Sequence, residues 1–95
     1  MHESDDSERR VLTPAEEDDR DQEAVLHHAL DAHPDQLTVS ELIREFTQGT
    51  EDVAEADRIE RAASDLVGAG LLHRDRDTIR PTRAALRFDQ LHNRH

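Results

Sequence analysis

The segment LVGAGLLHRDRDTIRPTRAALRF, Leu66 to Phe88, carries five arginines (Arg74, Arg76, Arg80, Arg83 and Arg87) against two acids, Asp75 and Asp77. The chemistry this suggests is anion contact, because a guanidinium is always charged and presents its donors in a fork that matches phosphate oxygens. The clustering runs against the rest of the chain, whose 95 residues have a formal net charge of -11. Residues 1–23 hold ten acids and three arginines, and residues 24–57 hold eight acids and one arginine. Residues 58–95 reverse the balance, with eight arginines and five acids. Asymmetry of this kind separates an acidic end from an end suited to an anionic partner.

Other chemistry is thinly represented. Glu23, His27 and Asp31 stand at i, i+4 and i+8, on one face of a helix, where they could ligate a metal ion. An ion-pair ladder on a solvated face is the favoured reading of the same spacing. His92 and His95 read as part of a fraying end. With no cysteine, disulfides, thiolate zinc sites and cysteine nucleophiles are excluded. No nucleophile stands with a base and an orienting group at recognisable spacing, and there is no glycine-rich phosphate loop. No enzyme activity, cofactor or metal is expected.

The length allows one domain at most. A chain this short buries roughly 60% of its unfolded surface, so its stability is modest. With two phenylalanines and no tryptophan or tyrosine, the core must be built from Leu, Val, Ile and Ala. No apolar run approaches the 18 or so residues that span a bilayer. The N-terminal MHESDDSERR is acidic and lacks an apolar stretch, so it does not read as a secretory signal. A cytoplasmic protein is the expectation. All twelve basic residues are arginine, which fits either a G+C-rich coding bias or an acidic, lysine-poor surface adapted to high salt.

Five elements must position these side chains. Residues 1–20 read as an acidic, disordered tail, too poor in apolar groups to offset chain entropy. Within it, Thr13-Pro14-Ala15-Glu16 has the form of a helix start, with a threonine cap, proline at the first helical position and glutamate closing a capping box. Residues 21–33 read as a helix with Val25, Leu26, Ala29 and Leu30 on one stripe, ended by Pro34. Residues 37–46, LTVSELIREF, read as a short helix capped by Thr38 and Glu41, with Leu42, Ile43 and Phe46 on one face and Gly49 as its stop. Residues 51–70 read as a longer helix whose stripe is Ile59, Ala63, Leu66 and Val67, with Val53 and Ala56 ahead of it and Gly70 as a left-handed cap. Residues 71–82 read as a hairpin with Asp75-Arg76-Asp77 at its tip. Thr82 then caps a last helix over 83–92, with either Ala84, Phe88 and Leu91 or Ala85 and Leu86 facing inward. The domain thus spans 21–92, and 93–95 form a frayed end.

This order resembles the winged helix-turn-helix family, over about residues 22–91. The residues that carry the resemblance are LTVSELIREF as a second helix, RIERAASDLVGAGLLHR as a third helix entering the first wing strand, and TIRPTRAALRF as the return strand and following helix. A helix ending L-V-x-A-G-L-L before a basic residue is similar to bacterial or archaeal regulators of the MarR-like and PadR-like kinds. The resemblance implies a mainly α fold with a small β-hairpin: a three-helix core, a β wing and a C-terminal helix. It implies a DNA-binding transcription regulator, acting on double-stranded DNA as a homodimer, with its third helix in the major groove and its wing on phosphates. Carried over residue by residue, the wing contacts are Arg74, Arg76 and Arg80, with Arg83 at the start of the next helix. His73 reads as a further wing phosphate contact or as a pH-sensitive hydrogen bond. Arg58 and Arg61 are the third-helix contacts, and Arg44 on the second helix is placed for the backbone.

The third helix departs from that pattern. Glu55, Asp57 and Asp65 accompany Arg58 and Arg61 on its outward positions, and Glu51 and Asp52 precede it. Acids can accept from cytosine N4, but several together repel phosphates. Two readings therefore stand for the arginines: phosphate contacts, or an edge that pairs with its own neighbouring acids. Two stand for the protein: a DNA-binding regulator, or a protein-protein interaction module of the same fold whose acidic surface docks a basic partner or mimics nucleic acid.

Overall fold

The computed structural model describes residues 13–93. Among them the chain is mainly helical, with a small three-stranded antiparallel sheet. Helix α1 spans Pro14–Ala32, strand β1 Leu37–Thr38, helix α2 Val39–Thr47 and helix α3 Val53–Gly68. Strands β2 (Leu72–Asp75) and β3 (Thr78–Pro81) form a hairpin, and helix α4 covers Arg83–His92. The tail expected over 1–20 is corrected in its last part: α1 begins at Pro14, not at residue 21. Its start is the capping box read from Thr13 and Glu16, with Glu16 N–H donating to Thr13 Oγ1 at 3.1 Å and Thr13 N–H to Glu16 Oε1 at 2.8 Å. Residues 1–12 of that expected tail lie outside the described residues.

Local signals set most of the other boundaries. His33 leaves the helical region with ψ 136° ahead of Pro34, as a pre-proline residue must. Thr38 and Glu41 form a second capping box, with Glu41 N–H donating to Thr38 Oγ1 at 3.0 Å and Thr38 N–H to Glu41 Oε1 at 2.9 Å. Thr38→Ala removes this cap and should lower stability by about 1 kcal/mol, a Tm loss of roughly 4–8 °C readable by thermal circular dichroism. Helix α3 ends in a Schellman pair: Leu71 N–H reaches Leu66 O and Gly70 N–H reaches Val67 O, with Gly70 at φ +81°. Thr82 caps α4 through Ala85 N–H and donates its own Oγ1 to Gly70 O at 2.8 Å, tying the hairpin's end to the end of α3. At the C-terminus, Asn93 donates its backbone N–H to Asp89 O and so closes α4, while 94 and 95 lie outside the described residues.

Leu37 and Thr38, expected as the start of a helix, are instead a strand. They pair antiparallel with Ile79 and Thr78, giving the sheet order β1-β3-β2. The hairpin register sets Leu72 opposite Pro81, His73 opposite Arg80, Arg74 opposite Ile79 and Asp75 opposite Thr78. Side chains alternate across a strand, so Leu72, Arg74, Ile79 and Pro81 share the inner face. His73, Asp75, Thr78 and Arg80 share the outer one.

The core lies between α1, α2, α3 and the sheet. Val25, Val39, Leu42, Ile59 and Ala63 are fully buried, with Leu72 and Ile79 closing it from the hairpin. Two expected members of the α3 stripe face solvent: Val53 is 70% exposed and Val67 38%. Ala62 takes the buried place instead. On α4, Ala85 is buried and Leu86 half-buried, while Ala84, Phe88 and Leu91 point outward.

Candidate nucleic-acid interface

The hairpin carries the first group of expected contact residues, and the structure divides them. Arg74 lies on the inner face and is spent within the fold. Its Nη1 and Nη2 meet Glu60 Oε1 and Oε2 at 3.1 and 3.3 Å, a bidentate pair with α3. Its Nε donates to Arg76 O at 2.8 Å, and Asp77 Oδ1 lies 4.0 Å from Nη2. Arg74, expected as a wing phosphate contact, therefore clamps the hairpin to α3. Arg74→Ala should lower stability by about 1 kcal/mol, since a partly exposed bidentate pair and one backbone hydrogen bond are lost. Arg76→Ala should cost less than half of that, a difference that urea titrations of the two variants measure.

Arg76 and Arg80 are placed differently. Arg76 opens the two-residue turn with φ 59°, in the left-handed region, and is exposed. Arg80 lies on the outer face directly across from His73, beside a shallow depression of about 180 Å³ that both line with Thr78 and Asp75. Neither arginine makes an ion pair with another described residue. Asp77, the acid nearest the tip, is committed elsewhere. Its carbonyl accepts Val39 N–H at 2.8 Å and its Oδ2 accepts Ser40 N–H at 3.2 Å, so it caps α2 from the hairpin turn. A carboxylate at a helix N-terminus is favourably placed against the helix dipole.

On α3 the acids are sorted by face. Arg58 pairs with Asp21 of α1 at 3.2 Å and with Glu55 at 3.1 Å. The hydrogen bond that Arg58 donates to Asp21, ahead of the nearby carboxylate charges, raises the Arg58 pKa. Gln22 of α1 donates to Asp65 at 3.3 Å. Positions 55, 58 and 65 therefore look toward α1, and Glu60 looks toward the hairpin. The outermost stripe of α3 is Ala54, Asp57, Arg61, Ser64 and Gly68, all exposed and spaced at three and four residues. Of the residues expected on the outward face, Asp57, Arg58, Arg61 and Asp65 are exposed and Glu55 is half-buried. Arg58, expected as a third-helix contact, bridges α1 and α3 through its pairs with Asp21 and Glu55 while remaining exposed.

Arg61 follows Glu60 in the chain, and the Arg76 carbonyl touches the Arg74 guanidinium that Glu60 holds. Arg61 and Arg76 thus arise from backbone immediately beside one ion pair, on adjoining elements. Arg44 is exposed on α2 and Arg83 exposed at the start of α4, and no described contact joins either to this group.

The histidine set stays apart from it. His27 Nε2 lies 3.5 Å from Asp31 Oδ2, both well exposed. Among the described residues no group of three or more His, Cys, Asp or Glu side chains is placed to hold a metal ion. No described helix is long and apolar enough to cross a membrane. Comparison with protein-family models, with curated proteins and with solved structures finds no match to this chain.

Proposed function

We propose that the protein is a winged-helix DNA-binding protein, a transcription regulator that lays α3 toward double-stranded DNA and holds phosphates through exposed arginines. The observation that carries this reading is the sorting of charge on α3. Glu55 is half-buried against Arg58 and Asp65 accepts from Gln22 of α1, so the outermost stripe keeps one acid, Asp57, and one arginine, Arg61. The element order and the strand order β1-β3-β2 support the fold assignment. In this reading the contacts are Arg61 on α3 and Arg76 and Arg80 on the hairpin. Arg44 and Arg83 are outlying backbone contacts, and Arg58 and Arg74 hold the scaffold.

The test is fluorescence anisotropy with mixed-sequence double-stranded DNA across a salt series. Phosphate contacts predict an affinity that falls steeply and log-linearly with salt. An absence of binding at low salt, with circular dichroism showing a folded chain, would overturn general DNA affinity. The second reading, an interaction module that docks a basic protein, would then take its place. It is favoured by the net charge of -11 and by Glu51 and Asp52 at the approach to α3.

A further inference from the structure

We infer that His73 and Arg80 together form a seat for one backbone phosphate of double-stranded DNA, and that the seat fills as His73 takes up a proton. This rests on the DNA-binding reading and adds to it a contact residue and a condition, low pH. His73 and Arg80 are directly opposed across β2 and β3, on the outer face of the hairpin. Directly opposed side chains stand about 4.5–5.5 Å apart at Cβ, so an imidazole and a guanidinium there can converge on one phosphate. Both are exposed, and neither side chain makes a hydrogen bond or an ion pair with another described residue. Thr78 lines the same depression of about 180 Å³ and carries a hydroxyl that can donate to the same ligand.

The other charged groups nearby are mostly engaged. Arg74 also lines the depression, but its guanidinium is held by Glu60 of α3. Asp75, opposite Thr78, is the one acid in the lining. Asp77 caps α2, and Glu41 of α2 is held in the Thr38 capping box. Arg83, at the start of α4, is exposed and adds positive charge on that side. Like charges directly opposed across a strand pair repel. A charged His73 facing Arg80 is therefore favoured when an anion lies between them, and phosphate binding and proton uptake support each other. Histidine is the side chain whose charge ordinarily changes between pH 5 and 8, whereas arginine stays charged throughout. At the acid end of that range the seat offers two cations, and at the alkaline end Arg80 alone. DNA affinity should fall as the pH rises.

Anisotropy of the full chain with mixed-sequence duplex DNA, as salt series at about pH 5.5 and about pH 8, tests it. The wild type should bind more tightly at the lower pH, with a slope of log K against log salt steeper by about 0.9, the share of one further phosphate contact. Referred to a 1 M salt limit, that is roughly a fivefold gain at physiological salt. His73→Asn should lose this part of the gain, although the other six of the seven histidines remain. His73→Arg should bind at the higher pH as tightly as the wild type does at the lower. His73 is exposed, so circular dichroism should show both variants folded like the wild type. A wild type that binds DNA equally at both pH values, or a His73→Asn chain that keeps the whole gain, would overturn the inference and leave the DNA-binding reading in place. An absence of binding at both pH values would overturn the two together.

Discussion

Replacing Arg61, Arg76 and Arg80 together by alanine should flatten the salt dependence of DNA binding by roughly 2 to 3 in the slope of log K against log salt. Each phosphate contact contributes about 0.9 to that slope. Referred to a 1 M salt limit, where the electrostatic contribution vanishes, this is a loss on the order of a hundredfold in affinity at physiological salt. The effect should be nearly the same for every DNA sequence, since phosphate contacts position a protein without reading bases. The contrast that gives the experiment its force is Arg58→Ala. That guanidinium is held between Asp21 and Glu55, so its removal should leave the slope almost unchanged. Asp57→Asn works in the other direction. It removes the one acid on the outward stripe of α3 and should tighten binding at low salt. Anisotropy on the four proteins decides the matter: a triple variant with the wild-type slope, or an Arg58→Ala chain that loses as much, would place the contacts elsewhere.

Ile59→Ala should leave the domain at the edge of unfolding. Ile59 is fully buried at the middle of α3, where α1, α2 and the sheet converge. Large-to-alanine substitutions at such sites cost about 2–5 kcal/mol, because the lost transfer energy is joined by an unfilled cavity. A domain of this size holds only about 5–10 kcal/mol in total. Val53→Ala, in the same helix, should change stability by no more than about 0.5 kcal/mol, because its side chain is mostly in solvent. Urea titrations of the two variants measure the difference directly. Comparable losses would mean that Val53 is covered by something in solution.

Features settled by neighbouring residues were readable in the chain. The capping boxes at Thr13 and Thr38 and the Gly70 stop depend on residues three to five positions away, so spacing alone reveals them. The Arg58–Glu55 pair is of the same local kind. What was not readable depends on long-range placement. Leu37 and Thr38 become a strand only because Ile79 and Thr78 arrive beside them. The bidentate partner of Arg74 is Glu60, on another element. Arg58 meets Asp21 in the same way. For α4, two apolar stripes compete on one helix. The choice between them follows from the anchoring of Thr82 to Gly70, which no periodicity encodes. The arginine pattern was thus legible as a concentration of charge, and the division into scaffold and exposed groups was not.

Hairpin tips are ordinarily the places where a chain accepts extra residues, because little depends on their backbone. Here the turn is also the cap of another helix: Asp77 receives the Val39 and Ser40 amides, one on its carbonyl and one on its carboxylate. A tag, a fluorophore or a lengthened loop inserted at Arg76-Asp77 would therefore unfasten α2 as well as the hairpin. The same guest is better placed between Thr50 and Glu51, beyond the turn in which Gly49 and Thr50 N–H close α2 and ahead of the Asp52 cap of α3, where the join can lengthen without releasing either helix.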